Sequence, residues 1–243
     1  MTTTASSASA PDVVRWHEPE GIAARGTLVV LPGRGETAAV YRRFATRLSA
    51  DAYRVAVLEP GDRDVVERVR DVAADPWAVT PLVLVGSDSG ALIALATATE
   101  LTGSVDAVIV AGVPVGTGTL ADDWDAEVEI RTGCPAHQKV LRASARGGIG
   151  SGIDALDAAV LSPALPQVPV LAIHGNTDRI SPLDTALEFY RRIPNVTVKV
   201  VEDGRHDALN DATHRSVAAT VVLFLERLRL GASLAPIVLD VEV

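Results

Sequence analysis

Apolar residues fall into two alternating patterns along this chain. Strand-like runs occur at 26–31 (GTLVVL), which is continuously apolar, and at 53–58 (YRVAVL), 81–85 (PLVLV), 105–110 (VDAVIV), 168–173 (VPVLAI) and 196–201 (VTVKVV). Runs of this length and β-branched content suit strands buried on both faces. Between them the apolar period lengthens to that of a helix. Val40, Phe44 and Leu48 recur four apart after Thr37, a candidate N-cap. A charged surface helix is expected over 62–75, and an apolar helix, buried all round, over 91–101. Ser181 and Pro182 read as cap and first-turn proline of a helix with Leu183, Leu187 and Tyr190 on one face. A closing helix turns Val217, Val221, Phe224 and Leu228 inward, with Asp211 as its candidate cap.

Strand–helix alternation of this kind predicts an α/β domain, a mainly parallel sheet with helices on both faces. No internal repeat interrupts it, so residues 12–243 are expected to form a single domain. Residues 1–11 (MTTTASSASAP) have neither a basic start nor an apolar run, and read as a disordered polar tail rather than a signal peptide. One stretch breaks the rhythm. Residues 116–167 have no strong strand and contain the run RGGIGSGID. A segment of that length between two strands is expected to pass over the active face as a short lid-like excursion. The apolar tail 231–243 either adds an edge strand or packs on a partner chain, which would make a homodimer.

Four motifs stand where strands end. Gly86-Ser87-Asp88-Ser89-Gly90 follows a buried strand and opens a helix, the setting of a nucleophile elbow. Its central residue is Asp88, with Ser87 and Ser89 beside it. Pro32-Gly33-Arg34-Gly35-Glu36 follows the strand at 26–31. A glycine-rich turn there can offer a backbone N–H to a developing oxyanion, and the expected donors are the amides of Arg34 and Ser89. Asp178 and His206 each follow a later strand, at the sheet edge where open α/β sheets bind ligands. The chain order is nucleophile, acid, histidine. Asp178 is expected to orient His206 and stabilise its charged form. Trp124 and His137 lie in the excursion and are candidate pocket residues. His174 reads as structural, and His17 and His214 as peripheral.

Composition narrows the partners. A net charge of −9 argues against nucleic acid or an anionic membrane surface. No apolar stretch approaches the roughly 20 residues of a membrane-spanning helix, so a cytoplasmic protein is expected. Cys134 is the only cysteine, which leaves no intramolecular disulfide. No His, Cys, Asp and Glu spacing suits zinc, and no phosphate-binding loop is present. A small-molecule substrate and no cofactor are expected.

With these motifs in hand, the chain resembles the α/β-hydrolase superfamily over about residues 13–230. The Gly33–Glu36 turn followed by Tyr41 resembles that of the monoglyceride lipase and lysophospholipase branch, which uses a serine nucleophile. Asp88 at the elbow instead resembles the epoxide hydrolases and haloalkane dehalogenases. Dehalogenases generally place tryptophan after the aspartate, where this chain has Ser89. Epoxide hydrolases use lid tyrosines, whereas Tyr41, Tyr53 and Tyr190 all lie outside the excursion. The resemblance implies a cofactor-independent hydrolase with Asp88 as covalent nucleophile. Three alternatives stay open: cleavage of an ester, thioester or lactone with Asp88 as base; a lyase, isomerase or cyclase; and a binding protein without catalysis.

Overall fold

The computed structural model describes residues 12–61, 63–116, 121, 123–144, 164–239 and 241. The expected N-terminal tail lies outside the described residues, and so do 117–120, 122 and 145–163 of the expected excursion. Seven strands form one sheet in the order β1-β3-β2-β4-β5-β6-β7. They are β1 (Val13–Trp16), β2 (Gly26–Leu31), β3 (Tyr53–Leu58), β4 (Leu82–Ser87), β5 (Ala107–Ala111), β6 (Val170–Gly175) and β7 (Val196–Val201). Among the described residues only β1, paired with β3, runs antiparallel; every other strand pairing is parallel. The edge strand β1 is four residues long and mostly half-buried, too short and too polar for its pattern to stand out in the sequence.

Helices cover both faces: α1 (Ala38–Ala50), α2 (Val65–Ala74), α3 (Ser89–Glu100), α4 (Trp124–Arg131), α5 (Pro135–Ser144), α6 (Leu183–Tyr190) and α7 (His214–Arg229). Strand residues alternate between two cores, because successive side chains point to opposite faces. Leu28, Val30, Val83, Val85, Leu171 and Ile173 pack with α1 and α7. Val29, Leu31, Leu82, Leu84, Val170 and Ala172 pack with α2, α3 and α6. Burying each such side chain contributes roughly 1.5–3 kcal/mol, which is why these runs read as uninterrupted apolar sequence.

Three local expectations meet different geometry. Asp211 does not cap α7; Thr213 holds that position. The Asp211 carboxylate instead accepts from Thr132 Oγ1, the Gly133 amide and the Arg205 amide, three donors that a solvent-facing cap could not match. Thr37 does stand at the N-cap of α1, but its side chain makes no capping bond. Pro182, not Ser181, holds the N-cap position of α6, and the Ser181 hydroxyl bonds the Val115 backbone. Among the described residues of the C-terminal tail no strand forms. Within the expected excursion, α4 and α5 pack through Val128 and Leu141 into the core beneath α1. Among the described residues no helix is long and apolar enough to cross a membrane.

The chain passes from β2 outward to β3 and then back across to β4. Strand order reverses there, so a crevice opens between the carboxyl ends of β2 and β4. That topological switch point is where open α/β sheets place ligands.

Candidate functional site

Two turns face each other across this crevice. The first, after β4, sets Asp88 at φ 51° and ψ −129°, in the sparsely populated left-handed region. Its amide is held by the Ala111 carbonyl at 3.0 Å. The flanking glycines are required by close approach. A Cβ on Gly86 would lie 2.2 Å from the Gly90 carbonyl oxygen, and one on Gly90 would lie 2.1 Å from that of Leu31. The second turn, after β2, brings the Arg34 amide to 3.0 Å from Asp88 Oδ2. The Arg34 Nε–H also donates to Oδ2 at 2.8 Å and to Oδ1 at 3.0 Å. Among the described residues the Ser89 amide makes no bond to this carboxylate. The Arg34 amide, one of the two expected oxyanion donors, thus lies on Oδ2.

Behind Asp88 stands a histidine–aspartate pair. His206, in the loop after β7, donates Nδ1–H to Asp178 Oδ2 at 2.8 Å. Its Nε2 lies 3.5 Å from Asp88 Oδ1, an ion-pair contact too long for a good hydrogen bond. Asp178 follows β6 and is fixed through Oδ1 by the amides of Ile180 and Ser181, both at 2.9 Å. His174 donates Nε2–H to the Ser181 carbonyl at 2.7 Å and accepts from the Tyr190 hydroxyl at 3.0 Å. That pairing suits a neutral imidazole, and burial pushes its pKa down.

A second layer holds the Arg34 turn in place, and it comes from the excursion. Arg131, at the end of α4, is completely buried. It donates from Nε to Asp207 at 2.9 Å, from Nη1 to the Arg34 carbonyl at 3.0 Å and from Nη2 to Glu36 at 2.6 Å. Glu36 in turn accepts from the Gly33 amide at 2.8 Å and from the Tyr41 hydroxyl. Arg131 Nη1 also lies 3.6 Å from Asp88. Sequence reasoning passed over Arg131, since an arginine on a short amphipathic helix normally reads as solvated. Glu36 stands there only as a member of the turn motif, and Asp207, the neighbour of His206, was not singled out. Their placement beside glycine turns at strand ends was the available signal.

The two candidate pocket residues part company. Trp124 closes over Gly35, where an added Cβ would lie 3.0 Å from its ring. His137 is buried and bonds Asp207 at 2.9 Å.

Electrostatics divides the protons clearly. Burial pushes the Asp88 carboxyl up, but the Arg34 charge, the His206 contact and Arg131 outweigh it and hold the group well below the usual carboxylate range. Burial pulls His206 down, but the charge and hydrogen bond of Asp178, together with Asp88, raise it to about 10. At neutral pH the site therefore holds ionised Asp88 against an imidazolium. Asp88 and His206 have no exposed surface. Among the described residues, no group of three or more His, Cys, Asp or Glu side chains is arranged to hold a metal ion.

No protein-family model matches the chain, and no curated protein matches its sequence. Solved structures do. A soluble variant of monoglyceride lipase from Saccharomyces cerevisiae superposes with a TM-score of 0.65 at 17% identity, covering 88% of this chain and 91% of that one. An esterase from Exiguobacterium antarcticum gives 0.64 at 17%, covering 88% and 94%. An N-formylmaleamic acid deformylase from Pseudomonas putida S16 gives 0.59 at 17%, covering 86% and 94%. These neighbours carry different names on one scaffold, so the likeness fixes the architecture and leaves the chemistry to the site. Sheet order, elbow and these superpositions together establish that the chain has the α/β-hydrolase fold.

Proposed function

We propose that this protein is a cofactor-independent hydrolase of a small organic electrophile, with Asp88 as covalent nucleophile. One observation carries the reading. Asp88 stands ionised at the apex of the elbow, with an oxyanion-turn amide on Oδ2 and the His206–Asp178 pair on the side of Oδ1. Oδ1 attacks an electrophilic carbon, and the leaving group departs with the bonding pair. Oδ2 becomes the carbonyl oxygen of the resulting ester and already sits against the Arg34 amide. Esterification removes the negative charge on Asp88, one of the two that hold the proton on His206. The imidazolium then gives that proton to solvent, and the neutral ring takes another from water, whose oxygen attacks the Asp88 carbonyl carbon; the ring later passes this proton to the departing alcohol oxygen. Collapse of the tetrahedral species releases the alcohol and restores the carboxylate.

The depressed pKa of Asp88 weighs against a general-base role. A base serves best when its pKa lies near the working pH, and this carboxylate is far below it. A nucleophile only needs to be ionised. Because Asp88 is wholly buried, substrate entry needs the Arg34 side chain, which lies on the carboxylate, to swing aside.

The same burial favours a second reading, in which the Arg34–Asp88 pair is a structural closure and the protein turns nothing over. The test uses a panel of 1-bromobutane, styrene oxide and p-nitrophenyl butyrate. Nucleophilic aspartate chemistry gives alcohol or diol from one of the first two, lost by at least about 10³-fold in Asp88→Ala. Hydrolysis of the acyl ester alone, retained in Asp88→Ala, would refute it. No turnover anywhere supports the structural closure.

A further inference from the structure

The Arg34 Nε–H covers both oxygens of Asp88, at 2.8 Å from Oδ2 and 3.0 Å from Oδ1. Oδ1 is the oxygen that faces His206. An electrophilic carbon reaches it only after that N–H has left. The backbone of the same residue can stay where it is. Its amide sits on Oδ2 at 3.0 Å, and its carbonyl is held by Arg131 Nη1 at 3.0 Å. The motion therefore falls to the side chain. That side chain is only 6% exposed. A buried guanidinium drawn off one carboxylate is strongly disfavoured unless a second takes its charge.

Glu127 stands where that charge would go. It lies in the first turn of α4, a helix that Asp123 caps by accepting from the Ala126 amide at 2.7 Å and that Val128 anchors in the core. Glu127 Oε1 is 3.5 Å from Arg34 Nη2, about 0.7 Å beyond the roughly 2.8 Å of a charge-assisted hydrogen bond. This oxygen is buried and accepts no hydrogen bond from the described residues. Arg131 Nη1 is also near, at 3.8 Å. The Arg131 guanidinium is held on three sides, by Asp207, the Arg34 carbonyl and Glu36. Oε1 thus has ion-pair contact with two arginines and a hydrogen bond from neither, and Arg34 is the one whose side chain must move.

We propose that Glu127 is a positioning residue that receives the Arg34 guanidinium, uncovering Oδ1 of Asp88 while keeping the arginine paired. Its consequence for turnover rests on Asp88 being the nucleophile; the transfer itself does not. Asp88→Asn gives a neutral, nearly isosteric stand-in for the alkylated carboxylate and needs no substrate. Its crystal structure should show the Arg34 guanidinium on Glu127, with Nη2 and Oε1 within about 3.0 Å and Nε withdrawn from position 88. A guanidinium still seated on position 88 overturns the proposal, whatever Asp88 does in turnover. A kinetic arm uses the full chain carrying His206→Gln, with 1-bromobutane and styrene oxide as electrophiles and intact mass as the readout of alkylation. Adding Glu127→Gln, with folding checked by circular dichroism, should slow alkylation at least about tenfold. In an Arg34→Ala background, where no guanidinium has to move, the same change should alter the rate by less than about twofold. Slowing by the same factor in both backgrounds, or no slowing in the first, would each overturn the proposal. Protein left unalkylated by both electrophiles refutes the nucleophile reading instead, and the Asp88→Asn structure then decides on Glu127 alone.

Discussion

The backbone amide of Arg34 meets Asp88 Oδ2 at 3.0 Å while the side chain of the same arginine grips that carboxylate through Nε. The residue expected to supply only an oxyanion donor thus also supplies the counter-charge of the group at the elbow. This double contact keeps Asp88 ionised in spite of its burial; Oδ2 takes the Arg34 amide and both oxygens take its Nε–H, while Oδ1 also faces His206.

The proton on His206 should respond to that arrangement. In the resting protein its pKa is raised to about 10, and Asp88→Asn should lower it by about one to three units, the usual effect of losing a nearby opposite charge. Imidazole NMR titration reads this directly, and an unchanged value would remove Asp88 from the electrostatics of the pair. Linkage gives the matching stability trend. A pKa raised on folding contributes stability that is full below the unfolded value of about 6.5 and is lost as pH rises through about 10. Wild-type stability should therefore decline over that window, and less steeply in Asp88→Asn. The depressed carboxyl of Asp88 acts at the other end, where its contribution is lost as pH falls below about 4.

Turnover should carry a related signature. Hydrolysis of the alkyl-enzyme needs neutral His206, so kcat should rise with pH. Its inflection should lie below the resting pKa read by NMR, because the ester no longer holds the histidine proton. A kcat that stays level from pH 5 to 9, with chemistry limiting the rate, would exclude His206 as the base.

Arg131→Met should cost about 3–5 kcal/mol in urea unfolding, the usual penalty for leaving buried partners of a removed charge uncompensated. Here those partners are Asp207 and Glu36. A loss below about 1 kcal/mol would show that the two carboxyl groups find other partners or take up protons.

Gly90→Ala should destabilise by about 3 kcal/mol, since its Cβ would press on the Leu31 backbone, which cannot swing aside. Ser87→Ala and Ser89→Ala should be mild by comparison, within about 1 kcal/mol and tenfold in rate, because among the described residues no hydrogen bond of either hydroxyl holds the site. Complete inactivation of Ser89→Ala alone would mark a serine nucleophile.

The inner strands β2, β4, β5 and β6 were legible because they are buried on both faces; the edge strand β7 is only half-buried and shows as β-branched residues around Lys199. The elbow was legible because β4, a small-residue turn and α3 follow one another without a gap. Asp178 and His206 were singled out by their position after β6 and β7, and the fold brings them within 2.8 Å of each other. What stayed hidden depends on contacts between distant segments. Arg131 lies 97 positions from the Arg34 carbonyl it holds, and nothing in the spacing around it signals burial. The same is true of Asp211, whose three bonds run to residues on two separate loops. The protonation of His206 was also out of reach, since it depends on two carboxylates meeting one ring.

Covalent attack by Asp88 divides the reaction into two halves that use different residues. Alkylation needs Asp88, while hydrolysis of the alkyl-enzyme needs His206. The most direct measurement is intact-mass analysis of His206→Gln after incubation with whichever electrophile the wild type consumes, followed by peptide mapping. The account predicts a stoichiometric adduct heavier by the alkyl group and located on Asp88. Its complement is ¹⁸O from water entering the Asp88 carboxylate during a single wild-type turnover. An unmodified His206→Gln variant, together with an unlabelled Asp88 after confirmed turnover, would contradict it.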